Sequence, residues 1–548
     1  MKEFPVFKET GTYADSLRAV GTASLLEEIS GMQTTIRDMG THFQVECPKD
    51  VSSEELKPPL PGFYYILKKS KEKDKPSGLL ILDYEEEKSR ADGQKKGAAK
   101  RKKAIDTALE EQSLATIEKP HREYRPAAIL ESMRKGWSSD KDVYHWVVKN
   151  PAEALKWVQN ELELFGPLER FEPLQVSNSQ FYNPASGKGV HAAKTIAKSP
   201  GAISNEVVQP FAEWMKYRGA YIAMLPYRNG DDFKLFVIEP AEIGPKALAL
   251  LREKLLDLNL WGGIRLDIEA SLRLAEELIM HSDVMGQTIG LRRKRPAEVV
   301  KGLRQTYFKS MGTAAALMND AFLPLPSWFC IENSDDANAF LGIIREHIGD
   351  YARKIPGCLW SLNETHSGDV PILQQYRKWL TTGDLSDLLN FLARFAVHVM
   401  EKLAKKDEKE RVKEFSTENL SILFERRYRM KEIVENQGFK NITDAIRNST
   451  VSSFENPKSG WKGSGYETLF GMAQEWKQKI KGGAKAFVPV LSEFVQKHNW
   501  EAVHKLKKGS PPISQDDLNN VVILIDQFGV ELVGMLLLAY GYARAPKT

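Results

Sequence analysis

The sequence predicts an α+β protein, with a mixed α/β N-terminal body followed by a C-terminal α-helical bundle. Three observations predict it. Helix-like and strand-like runs alternate up to about residue 373. From about Gln374 onward the strand signals nearly vanish and amphipathic helical runs take over. Of the 548 residues, 42% are hydrophobic and 27% charged, the balance of a folded chain rather than a disordered one.

The elements follow in order. Residues 13–21 place apolar side chains at helical spacing, continued by Leu25, Leu26 and Ile29. Residues 41–46, 62–67 and 78–82 read as short strands. The stretch 83–103 is acidic first (Asp83, Glu85, Glu86, Glu87) and basic afterwards (Lys95, Lys96, Lys100, Arg101, Lys102, Lys103). It predicts an exposed connection closing an N-terminal portion, 1–103. A central α/β portion, 104–373, has helices predicted at 200–218, 248–258 and 265–281. Strands are predicted there at 221–225 and 233–238, joined by Asn229-Gly230, a strong hairpin signal. The portion 374–548 carries helical runs at 385–412, 417–435, 442–448, 466–481, 484–497 and 515–543. The apolar stretch 518–542 contains Asp526, Gln527 and Glu531, which predicts a buried helix and not a membrane span.

Composition excludes several classes. Lys plus Arg is 77 and Asp plus Glu is 73, so a net charge of +4 excludes a polycationic tail but leaves local basic stripes open. Cys47, Cys330 and Cys358 are too few and too scattered for a disulfide framework or a Cys-rich zinc site. The ten histidines show no H-E-x-x-H pattern. The first residues carry acids and lack a long apolar run, so no signal peptide is predicted. A reducing, cytoplasmic location follows as an expectation.

Four stretches invite a chemical reading. Asp231 and Asp232, between two strands, match the paired carboxylates of a palm-type nucleotidyltransferase; a tight Asn-Gly turn accounts for the same residues more simply. Gly187-Lys188-Gly189 lacks the first Gly and terminal Ser/Thr of a phosphate-binding loop. With Asn178, Gln180, Asn183, Ser186 and Lys194 around it, the segment instead has the composition to read DNA edges: glycines admit backbone to a groove, Lys meets phosphate or guanine, and Asn and Gln pair with adenine. A plain polar surface loop is the alternative. Arg292, Arg293, Lys294, Arg295, Lys301, Arg304 and Lys309 form a stripe opposed by Glu298 alone, with Tyr307 and Phe308 interleaved. Each cation that neutralises a phosphate releases a counterion, so the stripe can supply sequence-independent affinity. In the helical portion, Arg426, Arg427, Arg429, Arg447 and Lys477 belong to a cation-rich set able to line a single-strand groove, though helix-face salt pairs explain many such cations. No G-x-S-x-G motif or catalytic-cysteine signature points to nucleophilic catalysis. No enzyme, metal or cofactor is expected.

Several stretches together resemble a known family. They are residues 13–21, Asn183-Pro184 with Gly187-Lys188-Gly189, Trp214-Met215-Lys216-Tyr217-Arg218-Gly219, and residues 439–451 and 531–543. The chain resembles the large subunit of the type I CRISPR Cascade surveillance complex, in its MYXAN-associated, I-B-like form. The resemblance implies a subunit beside the crRNA 5′ handle that recognises the protospacer-adjacent motif (PAM) in double-stranded DNA. It implies help in opening the duplex and holding the displaced strand, while the guide reads the sequence. Implied partners are crRNA, target DNA, backbone and 5′-handle subunits, small-subunit copies, and a helicase-nuclease or transposition adaptor. Under it, Asn178, Gln180, Asn183, Ser186, Gly187, Lys188, Gly189 and Lys194 become PAM contacts. The stripe and the helical cations become nucleic-acid backbone contacts. A protein-binding helical scaffold is the remaining alternative.

Overall fold

A computed structural model describes residues 2–48, 65–67, 81–83, 152, 158, 181–184, 210–229, 232–258, 260, 262–281, 296–311, 315–326, 331, 333–351, 353–404, 412–452, 469, 471–504 and 511–545. The chain is α+β, with its sheets in the N-terminal part and a mostly helical C-terminal region. It divides into two compact units. The first comprises residues 1–261 with 280–325, and the second 262–279 with 326–548. Residues 262–279 and 326–373, placed in the central portion by the sequence, group with the C-terminal helices.

The first unit opens with β1 (Lys2–Phe7), α1 (Tyr13–Ser30), β2 (Thr35–Asp38) and β3 (His42–Cys47). β3 lies between β1 and β2, antiparallel to both, and β8 (Glu242–Ile243) extends the sheet beyond β2. This is a split β-α-β arrangement: the crossover through α1 leaves a slot that β3 fills. Period-two alternation buries Phe4 and Val6 of β1 and Phe43, Val45 and Cys47 of β3. Thr12 caps α1 by accepting from the Ala14 N–H. Asp15 accepts the N–H groups of Glu9, Thr10 and Gly11, which folds the entry loop onto the helix start. Gly31, at φ 67°, ends it. β4 (Tyr65–Leu67) and β5 (Ile81–Asp83) form a parallel pair, within or beside the strands predicted at 62–67 and 78–82. Most of the predicted connection 83–103 lies outside the described residues.

α2 (Pro210–Ala223) leads directly into β6 (Met224–Asn229), which pairs with β7 (Asp232–Pro240) until Asn229 faces Asp232. The predicted hairpin is therefore present, while Gly230 and Asp231 lie outside the described residues. Helix continues through Tyr221, Ile222 and Ala223, where a strand is predicted, and their aromatic and apolar character serves α2 packing instead. α3 (Pro245–Asp257) follows β8. α4 (Ile264–Met280) belongs to the second unit up to Ile279. After the short α5 (Pro296–Val299), β9 (Val300–Ser310) and β10 (Ala315–Pro324) complete an antiparallel sheet ordered β10-β9-β7-β6.

Two of the stretches that carry the family resemblance meet inside this unit. α1 and α2 cross at Gly21 and Gly219. A Cβ on Gly21 would overlap the Met215 carbonyl, and one on Gly219 would overlap the Leu17 carbonyl. Only glycine lets these backbones touch. α1 is also tied to the β10-β9-β7-β6 sheet, where Ser16 Oγ donates to Glu239 Oε2 of β7 at 2.5 Å, and its Tyr13 hydroxyl donates to the Phe181 carbonyl at 2.7 Å.

The second unit contains α4, α6 (Ser334–Ile348), a 3₁₀ turn (Cys358–Ser361), α7 (Val370–Thr382), α8 (Leu385–Ala404), α9 (Thr417–Tyr428) and α10 (Lys431–Val434). It continues with α11 (Gln437–Ser449), α12 (Met472–Lys481), α13 (Ala484–Val503), α14 (Gln515–Phe528) and α15 (Val530–Gly541). α4 is tied in by charge as well as packing. Arg273 donates to the Ile348 and Gly349 carbonyls and pairs with Glu276, Arg345 pairs with Glu276, and Arg377 pairs with Asp267. Tyr376, Trp379 and Phe415 pack against the His347 ring, and Phe391 and Phe395 extend this aromatic core behind Tyr376 and Phe415. Burial pushes the His347 pKa down to about 3, which favours the neutral imidazole, and its Nδ1 lies 2.6 Å from the Tyr376 hydroxyl. α11 buries Phe439, Ile442, Ala445 and Ile446, an apolar face at three-to-four-residue spacing, against α14 and α15. The predicted single run 515–543 is two helices, because Gly529 at φ 91° turns the chain between them. Among the described residues no helix is long and apolar enough to cross a membrane.

Candidate nucleic-acid interface

The predicted PAM-contact segment is represented by one residue. Asn178, Gln180, Ser186, Gly187, Lys188, Gly189 and Lys194 lie outside the described residues. Asn183 is buried. Its amide nitrogen donates to both Glu213 oxygens at 3.0 Å, and its amide oxygen accepts from Lys216 Nζ at 2.6 Å. Lys216 also pairs with Glu213 at 2.9 Å. Asn183 thus anchors its segment to α2, and this corrects its assignment as a base-reading side chain: its polar atoms serve an internal ion pair.

The predicted stripe is divided. Arg292, Arg293, Lys294 and Arg295 lie outside the described residues. Lys301, Arg304 and Lys309 stand on β9. Lys301 pairs with Asp38 Oδ2 at 2.6 Å, and Lys8 donates to both Asp38 oxygens, at 2.7 and 2.8 Å. Burial raises the Asp38 pKa, but hydrogen bonds from Lys301, Lys8 and the Gly40 N–H outweigh it and hold this carboxyl below the usual range. Arg304 pairs with Glu239 at 3.2 Å, donates to the Gly11 carbonyl at 2.7 Å and lies over the Phe322 ring. The Arg304 guanidinium therefore ties the α1 entry loop to the sheet. Lys309 is exposed and has no ion pair among the described residues. Of the two predicted carboxylates, Asp232 accepts a hydrogen bond from the Tyr307 hydroxyl and Asp231 lies outside the described residues. Among the described residues, no group of three or more His, Cys, Asp and Glu side chains is placed to hold a metal ion.

The helical cations also separate by partner. Arg447 is buried, with Nε on the Ala543 carbonyl at 2.6 Å, Nη2 on the Tyr540 carbonyl at 3.0 Å and Nη1 on Asp444 at 2.7 Å. This corrects its assignment as a nucleic-acid contact: it closes the C-terminal end of α15 against α11. Arg426 pairs with Asp336, and Arg427 lies against the Tyr428 ring. Arg429 is exposed, at φ 56°, as the C-cap of α9.

Lys477 is different. It is half-buried on α12, and its pKa is lowered first by burial and then by two cations, Arg394 of α8 and Lys481 of α12. Arg394 and Lys481 are exposed, and none of the three has an ion pair among the described residues. α12 carries a further exposed cation, Lys479, against one acid, Glu475. Helix packing has concentrated like charge at a cost to the folded state, an arrangement that polyanion binding relieves. Sequence reasoning missed Arg394. The only signal was a cation inside a predominantly apolar helix, and nothing local says that α8 lies beside α12.

No family model matches the chain, and no curated protein matches it.

Proposed function

We propose that this chain is a non-enzymatic nucleic-acid recognition subunit of a crRNA-guided type I Cascade complex. It recognises the PAM in double-stranded DNA, helps open the duplex and stabilises the separated strands, for DNA destruction through a helicase-nuclease or for guided transposition. Crowding of Arg394, Lys477 and Lys481, without carboxylate partners among the described residues, carries the reading. A phosphate backbone supplies the missing negative charge at regular spacing, and three adjacent cations on two helices suit it. The α+β body followed by helices agrees with the architecture the resemblance implies. Exposed Lys309 and Arg429 remain candidate backbone contacts. The cytoplasm is the proposed location.

The test is recovery of bound nucleic acid from the tagged full chain in its native host. The expected result is RNA beginning with a repeat-derived 5′ handle, copurifying with backbone subunits. Absence of repeat-derived RNA, together with no retardation of DNA at low salt by the purified chain, overturns the proposal.

A further inference from the structure

Three residues that the nucleic-acid reading does not use meet in the second unit. Ser361 ends the 3₁₀ turn, Asp369 precedes α7, and His398 lies on α8. His398 Nδ1 is 3.2 Å from Asp369 Oδ1, and His398 Nε2 is 3.1 Å from Ser361 Oγ. His398 and Asp369 are buried, whereas Ser361 is half-exposed beside Trp360, which is 54% exposed. Asp369 is held in turn, accepting from the Asn363 N–H at 2.9 Å, with His366 Nδ1 at 3.5 Å. A carboxylate bound to Nδ1 selects the tautomer in which Nε2 is the acceptor facing the hydroxyl. This is the constellation of a nucleophilic serine, its general base and the group that orients the base, recognised by roles and geometry and not by sequence position.

We propose that Ser361 is a His398-activated nucleophile that reacts with small activated acyl and phosphoryl electrophiles, with Asp369 as the positioning residue. Oγ attacks the electrophilic carbon or phosphorus while its proton passes to His398 Nε2. With an aryl ester, the new Oγ–C bond forms as the C–O bond to the phenolate breaks, and water later releases the acid. With a fluorophosphate, the Oγ–P bond forms as P–F breaks and fluoride leaves. Two features restrain turnover. The Leu362 N–H, the backbone donor next to the nucleophile, is committed to the Leu359 carbonyl. The Ser361 hydroxyl also lies 3.2 Å from the Cys358 carbonyl, which competes for its proton. A missing oxyanion donor costs about a hundredfold to a thousandfold in rate. Stoichiometric acylation with slow release is therefore expected, not rapid hydrolysis.

The test uses the full chain with diisopropyl fluorophosphate, read by intact mass and peptide mapping, with melting curves recorded for every variant. One adduct on Ser361 is expected, absent in Ser361→Ala and formed about a hundredfold more slowly in His398→Gln, the scale of a lost general base. Asp369→Asn slows labelling, and Asp369→Glu restores part of the rate. Cooperative melting of the wild-type chain without any adduct overturns the proposal. So does an adduct that persists in Ser361→Ala, or one whose rate is unchanged in a folded His398→Gln chain.

Discussion

Replacing Arg394, Lys477 and Lys481 together by glutamine separates binding from folding. Each of these cations can neutralise one phosphate, and none is needed for an ion pair within the described chain. A neutralised phosphate contributes about 0.7 to the slope of log K against log salt on a single strand, so losing three flattens the slope by about 2. Over a fourfold rise in salt, the variant then loses about 16-fold less affinity than the wild type. The same change acts oppositely on stability. A lysine whose folded pKa is below its unfolded value costs stability at neutral pH, where both states carry the charge. Burial and two neighbouring cations depress the Lys477 value, so its neutralisation raises the urea midpoint. Fluorescence anisotropy with a labelled mixed-sequence oligonucleotide gives the slope, and urea unfolding of the free chain gives the midpoint. An unchanged slope refutes the polyanion assignment. A lower midpoint refutes the reading of the cluster as a strained arrangement.

Other substitutions probe the fold and the corrected assignments. Arg447→Met removes charge-assisted bonds to the Ala543 and Tyr540 carbonyls and destabilises the second unit by about 3 kcal/mol, measured by urea unfolding, while salt-slope measurements on the folded fraction stay unchanged. Gly219→Ala forces a Cβ into the Leu17 carbonyl and costs about 3 kcal/mol, since backbone must move; an unchanged denaturation midpoint contradicts the close crossing. Asp38 has a folded pKa below its ordinary value of 3.8, so its stabilising contribution is present above that value and lost as pH falls through the folded pKa. Asp38→Asn therefore lowers stability at neutral pH, and the gap to wild type closes on acidification. A gap that persists at pH values well below 3.8 refutes the ion-pair account.

Much of the fold was legible because its signals are local. The strand at His42–Cys47 alternates inward and outward residues, and α11 repeats apolar residues every three to four positions. The hairpin announced itself through Asn229-Gly230. Where local signals misled, a long-range contact decided. Tyr221 and Ile222 suit a strand by propensity, yet they extend α2. α4 reads as an ordinary central helix, and only the packing, with the ties of Arg273 to the Ile348 and Gly349 carbonyls, Glu276 to Arg345 and Asp267 to Arg377, shows that it belongs with the C-terminal helices.

The candidate site was less legible, since charge in a sequence does not say where its partner lies. Lys301 and Arg304 looked unopposed because Asp38 and Glu239 are remote in the chain. Arg447 looked like one more helical cation until α15 brought the Ala543 carbonyl to it.

By itself, the sequence determined the α+β class, a mostly helical C-terminal region, the absence of Cys- and His-rich motifs and the presence of abundant cations, although among the described residues the last strand ends at Pro324, earlier than the boundary read at 373. Hydrophobic period and turn chemistry act over a few residues, so they are written locally. The tertiary structure alone decided which cations are spent internally, that Arg394 stands beside Lys477, and that Ser361, Asp369 and His398 converge. Those facts depend on helices and loops distant in sequence burying their apolar faces together. Polar groups then meet whichever partners that packing delivers.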